Sequence, residues 1–72
     1  MTLDETIKLK KLVLTDLFNK DGYIKGHGPK LCRVMDGEHN PLYNVKRDIV
    51  DALIYEEKIR RDGLVFKLNL GS

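Results

Sequence analysis

The sequence predicts one small α+β domain in which two helices pack on a short antiparallel sheet. Three observations predict this class. An apolar stripe of helical period lies near the N-terminus, apolar residues alternate with polar ones in the middle, and an Asp-Gly pair separates two short apolar runs near the C-terminus. The chain has 72 residues, which is the size of a single domain. The predicted order is therefore helix, short strands, helix and C-terminal hairpin.

The first helix is predicted over residues 3–20. Thr2 and Glu5 have the spacing of a capping box, in which each side chain satisfies a first-turn amide. Gly22 is predicted to end the helix in the left-handed conformation. At about 100° per residue, one apolar stripe forms. Its members are Leu3, Ile7, Leu14, Leu17 and Phe18, and Leu9 and Val13 widen it.

The middle of the chain is predicted to be extended. Residues 23–25 have the composition of a short strand, and residues 26–29 that of a turn. Residues 30–35 alternate, with Cys32 and Val34 on one face of the strand. A second turn follows over residues 36–41. Residues 42–43 either pair back on the preceding strand or belong to an ordered loop over residues 36–43.

The second helix is predicted over residues 45–57, with Asn44 as its N-cap. A hairpin then turns at Asp62-Gly63, because that dipeptide suits a two-residue turn. This turn pairs Ile59 with Phe66 and Arg61 with Leu64. The predicted core consists of Leu14, Leu17, Phe18, Val34, Ile49, Leu53, Ile59, Phe66 and Leu68.

Composition excludes several classes of function. No apolar run approaches the roughly 18 residues of a membrane span, and the first five residues are too polar for a secretory signal. One cysteine cannot form an internal disulfide, and two histidines with one thiol leave a zinc site short of ligands. We therefore expect a cytoplasmic protein that has no cofactor, no metal and no membrane contact.

The charge distribution indicates nucleic-acid binding. The net charge is +2, but residues 44–57 carry −2 and residues 58–72 carry +3. Phosphate contact requires cations held on a rigid element, and a hairpin is such an element. The predicted contacts are Lys58, Arg60, Arg61 and Lys67 on the hairpin, followed by Lys8, Lys10 and Lys11 on the first helix. The alternative is that the hairpin cations form a solvated edge strand and only block edge-to-edge pairing.

A helix followed by the run Ile59-Arg60-Arg61-Asp62-Gly63-Leu64-Val65-Phe66 resembles the C-terminal half of winged-helix DNA-binding domains over residues 44–70. The resemblance implies a small protein that binds DNA or regulates transcription through a basic wing. Residues 22–43 depart from that pattern, because turn signals stand where the family has a further helix. The outer arc of the second helix carries Asp48 and Asp51, which phosphates repel, so the hairpin is the predicted contact.

The alternative is a small protein-binding adaptor or inhibitor, of the phage or mobile-element type. Both predicted helices carry more apolar surface than one sheet face covers. A protein partner, or a second copy in a homodimer, then binds the apolar and acidic face of the second helix. The predicted partner-binding residues are Leu12, Asp48, Val50, Asp51, Ile54 and Tyr55.

Three further sites are weighed against simpler interpretations. His27, Cys32 and His39 have no recognised zinc spacing, so Cys32 is expected in the core and His27 in an exposed turn. Pairing Cys32 with a histidine, or Asp36 with Glu38, has no local catalytic signature, and the protein is expected to be non-enzymatic. A stacking surface for single-stranded nucleic acid is the third; its predicted residues are Tyr23, Tyr43, Lys25, Lys30 and Arg33.

Overall fold

A computed structural model describes residues 3–70 of the chain. The elements, in order, are α1 (Leu3–Asn19), β1 (Tyr23–Gly26), β2 (Leu31–Met35), β3 (Pro41–Lys46), α2 (Arg47–Tyr55), β4 (Ile59–Asp62) and β5 (Val65–Leu68). The predicted α+β class and the predicted order of elements are confirmed. The capping box at Thr2 lies outside the described residues.

All five strands form one antiparallel sheet in the order β3-β2-β1-β5-β4. β3 and β4 are the two edges, and α2 connects them, so this helix crosses the sheet from one side to the other. α1 and α2 contribute to one buried cluster with the sheet. Both helices therefore lie on the same face of the sheet.

The core fills the space between the helices and that face. The helices contribute Val13, Leu17, Ile49, Val50 and Leu53, and the sheet contributes Ile24, Cys32, Val34, Val45 and Ile59. Leu14, Phe66 and Leu68, which are predicted in the core, are half-buried and pack against the cluster rather than belonging to it. At about 25 cal/mol per Å² of buried apolar area, this cluster is the main stabilising contribution to the fold.

α1 differs from the prediction in which apolar row it buries. Val13 and Leu17 are buried, whereas Phe18, predicted in the core, is 69% exposed. The sheet covers one row of a helix that carries two. The end of the helix also differs, since Asp21 takes the positive φ of 51° and Gly22 does not. Gly22 is needed for another reason: a Cβ there would lie 2.3 Å from the carbonyl oxygen of Met35.

α2 is shorter than predicted, because β3 extends through Lys46. Asn44 is therefore not an N-cap. It pairs with Arg33 in the sheet, and Val45 pairs with Cys32 and is buried. The pairing of residues 42–43 with β2 is confirmed, with a register irregularity beside Met35.

The hairpin forms, but its turn lies one residue later than predicted. Asp62 pairs with Val65, so Gly63 and Leu64 form the turn and Ile59 pairs with Leu68. Gly63 has a φ of 69° and precedes Leu64, which is the residue order of a type II′ turn. The two-residue change of register keeps every side chain on its predicted face.

Candidate functional site

The strand register divides the sheet into two faces. Ile24 pairs with both Val34 and Phe66, and all three belong to or pack against the core under the helices. Successive residues of a strand point to opposite faces. The other face, which neither helix covers, is called the open face. Its residues are Tyr23, Lys25, Leu31, Arg33, Met35, Asn44, Lys46, Arg60, Asp62, Val65 and Lys67.

The open face is strongly basic. It carries five cations, which are Lys25, Arg33, Lys46, Arg60 and Lys67, and within residues 3–70 its strands place one carboxylate there, that of Asp62. Adjacent strands lie about 4.8 Å apart, so the cations are distributed over a surface about 20 Å wide. The open face therefore presents a row of cations on a rigid sheet.

Cross-strand pairing sets where the cations lie. Lys25 pairs with Arg33 on one side and with Val65 on the other. Arg60 pairs with Lys67. Like charges placed opposite one another in a sheet are destabilising unless an anion neutralises them. These pairs therefore concentrate positive charge on the open face, and the ion pair between Lys67 and Asp62 offsets it in part.

Arg33 is held by its neighbours rather than by a carboxylate. Its Nε donates to Oδ1 of Asn44 at 3.2 Å, and its Nη2 donates to Nε2 of His27 at 3.0 Å. Neither an asparagine amide nor a histidine imidazole brings a negative charge to the guanidinium. The guanidinium therefore keeps its full charge for a ligand while its position is restrained.

The single carboxylate neutralises the open face only in part. The Oδ2 of Asp62 lies 3.3 Å from the Nζ of Lys67, and both side chains are about half exposed. Exposed ion pairs of this kind contribute little to stability and are screened by salt. Lys67 therefore remains able to exchange this partner for a phosphate.

A cleft opens at one end of the open face, where β1 and β5 part. These strands pair at Ile24 with Phe66 and at Lys25 with Val65. Beyond those pairs a groove of about 590 Å³ is lined by residues that include Leu17, Tyr23, Arg60, Lys67, Leu68 and Leu70. We call this groove the β1–β5 cleft. Its lining combines aliphatic side chains, the aromatic rings of Phe18 and Tyr23, the cations Arg60 and Lys67, and the carboxylate of Asp21.

Tyr23 is fixed in place beside the cleft. Its hydroxyl hydrogen-bonds with Nδ1 of His39 at 2.6 Å, and the two rings meet edge to face with centroids 5.6 Å apart. His39 itself lies in the turn between β2 and β3, where it takes a positive φ of 70°. Contacts within the protein thus set the orientation of the tyrosine ring.

The turn that carries His39 is ordered by Asp36. Its Oδ1 accepts hydrogen bonds from the backbone N–H of Glu38 at 2.9 Å and of Asn40 at 2.8 Å. The backbone hydrogen bond from Asn40 is the main reason that the pKa of Asp36 is lowered. Asp36 is therefore a turn-forming residue.

The structure separates the seven cations predicted from the sequence. Arg60 and Lys67 lie on the open face, while Arg61 lies on the opposite face and its Nε donates to the carbonyl of Gly63. Lys58 is exposed before β4, and Lys8 and Lys11 are exposed on α1. Lys10 instead forms an ion pair with Glu56.

Sequence reasoning missed Lys46 and left Lys25 and Arg33 outside the phosphate-contacting set. Lys46 was concealed because residues 45–46 were assigned to the second helix. The positions of Lys25 and Arg33 could have been predicted from the sequence, because each is next to a residue that is buried, Ile24 or Val34. A cation in the opposite phase to a core residue belongs on the other face of the sheet.

The predicted stacking surface is correct for Tyr23, Lys25 and Arg33 as a shared face, and wrong for Tyr43. Tyr43 lies on the helix-covered face and donates to Oδ2 of Asp16 at 2.7 Å. Burial, followed by this carboxylate, raises the pKa of the Tyr43 hydroxyl. Lys30 is exposed in the turn before β2. The stacking function stays a prediction.

The predicted partner-binding set also loses one member. Val50 is 1% exposed and belongs to the core, so it is not available to a partner. Leu12, Ile54 and Tyr55 are exposed, and Tyr55 is 90% exposed. Asp48 and Asp51 are exposed on α2, where Asp51 lies 4.0 Å from the Nε of Arg47.

The residues considered for metal binding or catalysis are dispersed. Cys32 is buried under the helices, and this burial raises the pKa of its thiol. His27 and His39 bond instead to Arg33 and Tyr23. Within residues 3–70, His, Cys, Asp and Glu side chains form no group that is able to hold a metal ion.

No helix of the described part of the chain has the length and apolar character to cross a membrane. The resemblance of residues 44–70 to winged-helix domains stays a prediction. Comparisons with protein-family models, with curated proteins and with solved structures find no match to this chain.

Proposed function

We propose that this protein is a small, non-enzymatic, cytoplasmic nucleic-acid-binding protein that contacts phosphates through the open face of its sheet. The observation that supports it is the gathering of Lys25, Arg33, Lys46, Arg60 and Lys67 on one uncovered face. A role in transcription regulation belongs to the same proposal.

The distribution of acidic residues supports the same surface. Asp48, Asp51 and the Glu56-Glu57 pair lie on α2 or just after it, and α2 packs on the other face of the sheet. A polyanion approaching the open face therefore meets cations, while one approaching α2 meets carboxylates. Phosphate contact contributes most of the affinity in non-specific binding, so this asymmetry selects the binding face.

Two adjacent arginines of β4 provide a matched test. Arg60 lies on the open face and Arg61 on the opposite face, and both are exposed. We expect Arg60→Glu to weaken binding to a generic oligonucleotide by about tenfold and to lower the slope of log K against log salt by about one. Arg61→Glu carries the same charge change and should have a much smaller effect. Fluorescence anisotropy over a salt series measures both.

A second variant separates the whole face from the hairpin alone. Lys46→Glu changes the opposite edge strand, on the far side of the sheet from Arg60. We expect a loss similar to that of Arg60→Glu, because both side chains face the same ligand. Equal losses for Arg60→Glu and Arg61→Glu, or no binding at about 50 mM salt, would show that the proposal is wrong.

Binding to a protein is the second candidate, and the 90% exposure of Tyr55 favours it. The surface consists of Leu12, Ile54, Tyr55, Asp48 and Asp51, and its partner is another protein or a second copy of this chain. In the self-association form, sedimentation of the wild type at micromolar concentration shows a dimer that Tyr55→Ala weakens. A monomer at that concentration contradicts the self-association form.

A further inference from the structure

We infer that the ligand is single-stranded nucleic acid, with one unpaired base in the β1–β5 cleft and its phosphates on the cations of the open face. This inference rests on the proposed function and specifies the class of nucleic acid. Its physical basis is that an apolar, aromatic-walled groove opens directly beside a row of cations.

The cleft has the chemistry that a nucleobase requires. Phe18, Leu68 and Leu70 supply apolar surface, and the ring of Tyr23 supplies a face for stacking. Stacking of a base on an aromatic side chain is a principal source of affinity for single strands and tolerates any base sequence. The volume of about 590 Å³ falls within the range of small-molecule sites and admits one base with its sugar.

The rim of the cleft has the charge that the attached phosphates require. Arg60 and Lys67 line the cleft and also belong to the open face, so a base in the cleft places its own phosphates beside them. Lys25 and Arg33 continue the positive charge along the strand direction and across the sheet. The charge complementarity identifies a polyanion, rather than a neutral aromatic molecule, as the occupant.

Tyr23 is preorganised for this role. The hydrogen bond between its hydroxyl and His39 fixes the orientation of the ring. A ring that is already oriented loses little rotational freedom on binding, which increases the affinity that stacking provides.

The shape of the open face disfavours a duplex. Five strands at about 4.8 Å spacing give a width of about 20 Å, whereas the major groove of B-DNA is about 12 Å wide. A duplex therefore contacts this face by its phosphates alone, and its stacked bases do not reach the cleft. A single strand makes both kinds of contact.

The test uses the complete chain and four labelled probes of about twelve nucleotides, which is within the site sizes of single-strand binders. They are oligo(dT), oligo(U), a DNA strand of abasic residues, and a duplex. The abasic strand keeps the phosphates and removes the bases. We expect oligo(dT) and oligo(U) to bind about tenfold more tightly than the abasic strand and the duplex at equal salt concentration. Unequal affinities for the two base-containing strands identify DNA or RNA as the preferred source.

Variants of Tyr23 connect the preference to the cleft. Tyr23→Ala should weaken oligo(dT) binding about tenfold and leave abasic binding unchanged, because it removes the stacking face. Tyr23→Phe keeps the ring but loses the hydrogen bond to His39 that orients it, so it should lose much less affinity than Tyr23→Ala. Tyr55→Ala, which removes an exposed ring on α2, should change neither. A wild-type measurement accompanies them: amide NMR shifts at Tyr23 and Leu68 should be larger with oligo(dT) than with the abasic strand.

The outcomes separate the two proposals. Equal affinity for oligo(dT) and the abasic strand overturns the inference and leaves phosphate binding in place. Equal NMR shifts at the cleft with both strands overturn it as well, even where Tyr23→Ala fails to fold. The absence of binding to all four probes at low salt overturns both the inference and the proposed function.

Discussion

The two faces of the sheet are built from alternating residues of the same strands, yet one face is packed under the helices and the other is not covered by them. In β1, Ile24 is fully buried under the helices, while its neighbour Lys25 lies on the open face. Packing determines which residue types are tolerated on the covered face. On the open face packing constrains residue types less, since most of its side chains are exposed or half-buried and Met35 is the buried exception. The comparison separates substitutions that should lower stability from those that should affect only the proposed binding.

Chemically identical residues occur on both faces, which makes the comparison testable. Tyr43 and Tyr23 are on the covered and open faces, and each makes one side-chain hydrogen bond. Arg61 and Arg60 divide in the same way. In each pair the side chain is constant and the environment differs. A difference in stability or binding between two matched variants can therefore be attributed to the face of the sheet on which each residue lies.

The largest expected difference concerns aliphatic side chains. Ile24→Ala should lower the free energy of unfolding by about 2–5 kcal/mol, because it removes buried methyl groups and leaves a cavity. Leu31→Ala should cost less than about 1 kcal/mol, because Leu31 is already 40% exposed on the open face. Urea unfolding measures both. Equal losses would mean that the open face is also a packed core.

Local sequence pattern predicts most of the helices and strands of this fold, but it does not predict which elements pack or pair with one another. Alternation in residues 31–35 and the helical period of residues 3–19 identify those elements correctly, because both patterns are set by burial on one side. α1 carries two apolar rows, and periodicity alone cannot say that the row of Val13 and Leu17 faces the sheet. Residues 45–46 were assigned to a helix, with Asn44 as its N-cap, because the strand partners of residues 44–46, residues 31–33, are not visible in the local sequence.

The candidate site, too, is predicted in part by local pattern and depends in part on long-range strand pairing. Alternation places Lys25 and Arg33 away from the core, and the face of Arg60 and Lys67 is likewise set by alternation with Ile59 and Leu68. That these pairs form one surface depends on β5 pairing with β1. Those strands are about 40 residues apart in the chain, and long-range pairing of this kind leaves no local signal.

Two glycines beside β1, Gly22 just before the strand and Gly26 at its end, test where the backbone is closely packed. Gly22→Ala should destabilise the fold by about 1–3 kcal/mol, because the new Cβ would meet the carbonyl oxygen of Met35 at 2.3 Å and backbone must shift. Gly26→Ala adds the same methyl group where no atom lies within 4 Å. It should be neutral or slightly stabilising. Thermal unfolding followed by circular dichroism distinguishes them, and equal melting temperatures would contradict the close approach.

Removing the hydroxyl of Tyr43 or of Tyr23 should have a smaller effect on the free energy of unfolding, and the effect at Tyr43 should depend on pH. Tyr43→Phe should cost about 1 kcal/mol, since it removes a part-buried hydrogen bond to Asp16. Tyr23→Phe, which removes an exposed hydrogen bond, should cost about 0.5 kcal/mol or less. Chemical unfolding at neutral pH measures this difference. Equal costs would show that the covered face does not strengthen the bond.

The sign of the pH dependence follows from the raised pKa of Tyr43. Its ordinary value is 10.0, so above that pH the unfolded chain loses a proton that the folded chain retains. The unfolded state then binds fewer protons, and stability falls as pH rises. The contribution of Tyr43 is fully present below about pH 10 and is lost above it. The wild type should therefore lose stability above that pH more steeply than Tyr43→Phe.

The smallest expected effect is a gain in binding. Asp62 is the one carboxylate that the strands of residues 3–70 place on the open face, and it pairs with Lys67 at 3.3 Å. Asp62→Asn removes its repulsion of a phosphate about 10 Å away, which in water is worth about a twofold gain in affinity at low salt. The gain should vanish at about 1 M salt, where the Debye length falls to about 3 Å. Asp51→Asn makes the same change on α2, which packs on the covered side, and should leave affinity unchanged. A gain from Asp51→Asn equal to that from Asp62→Asn would mean that net charge, rather than the face on which a charge lies, controls binding.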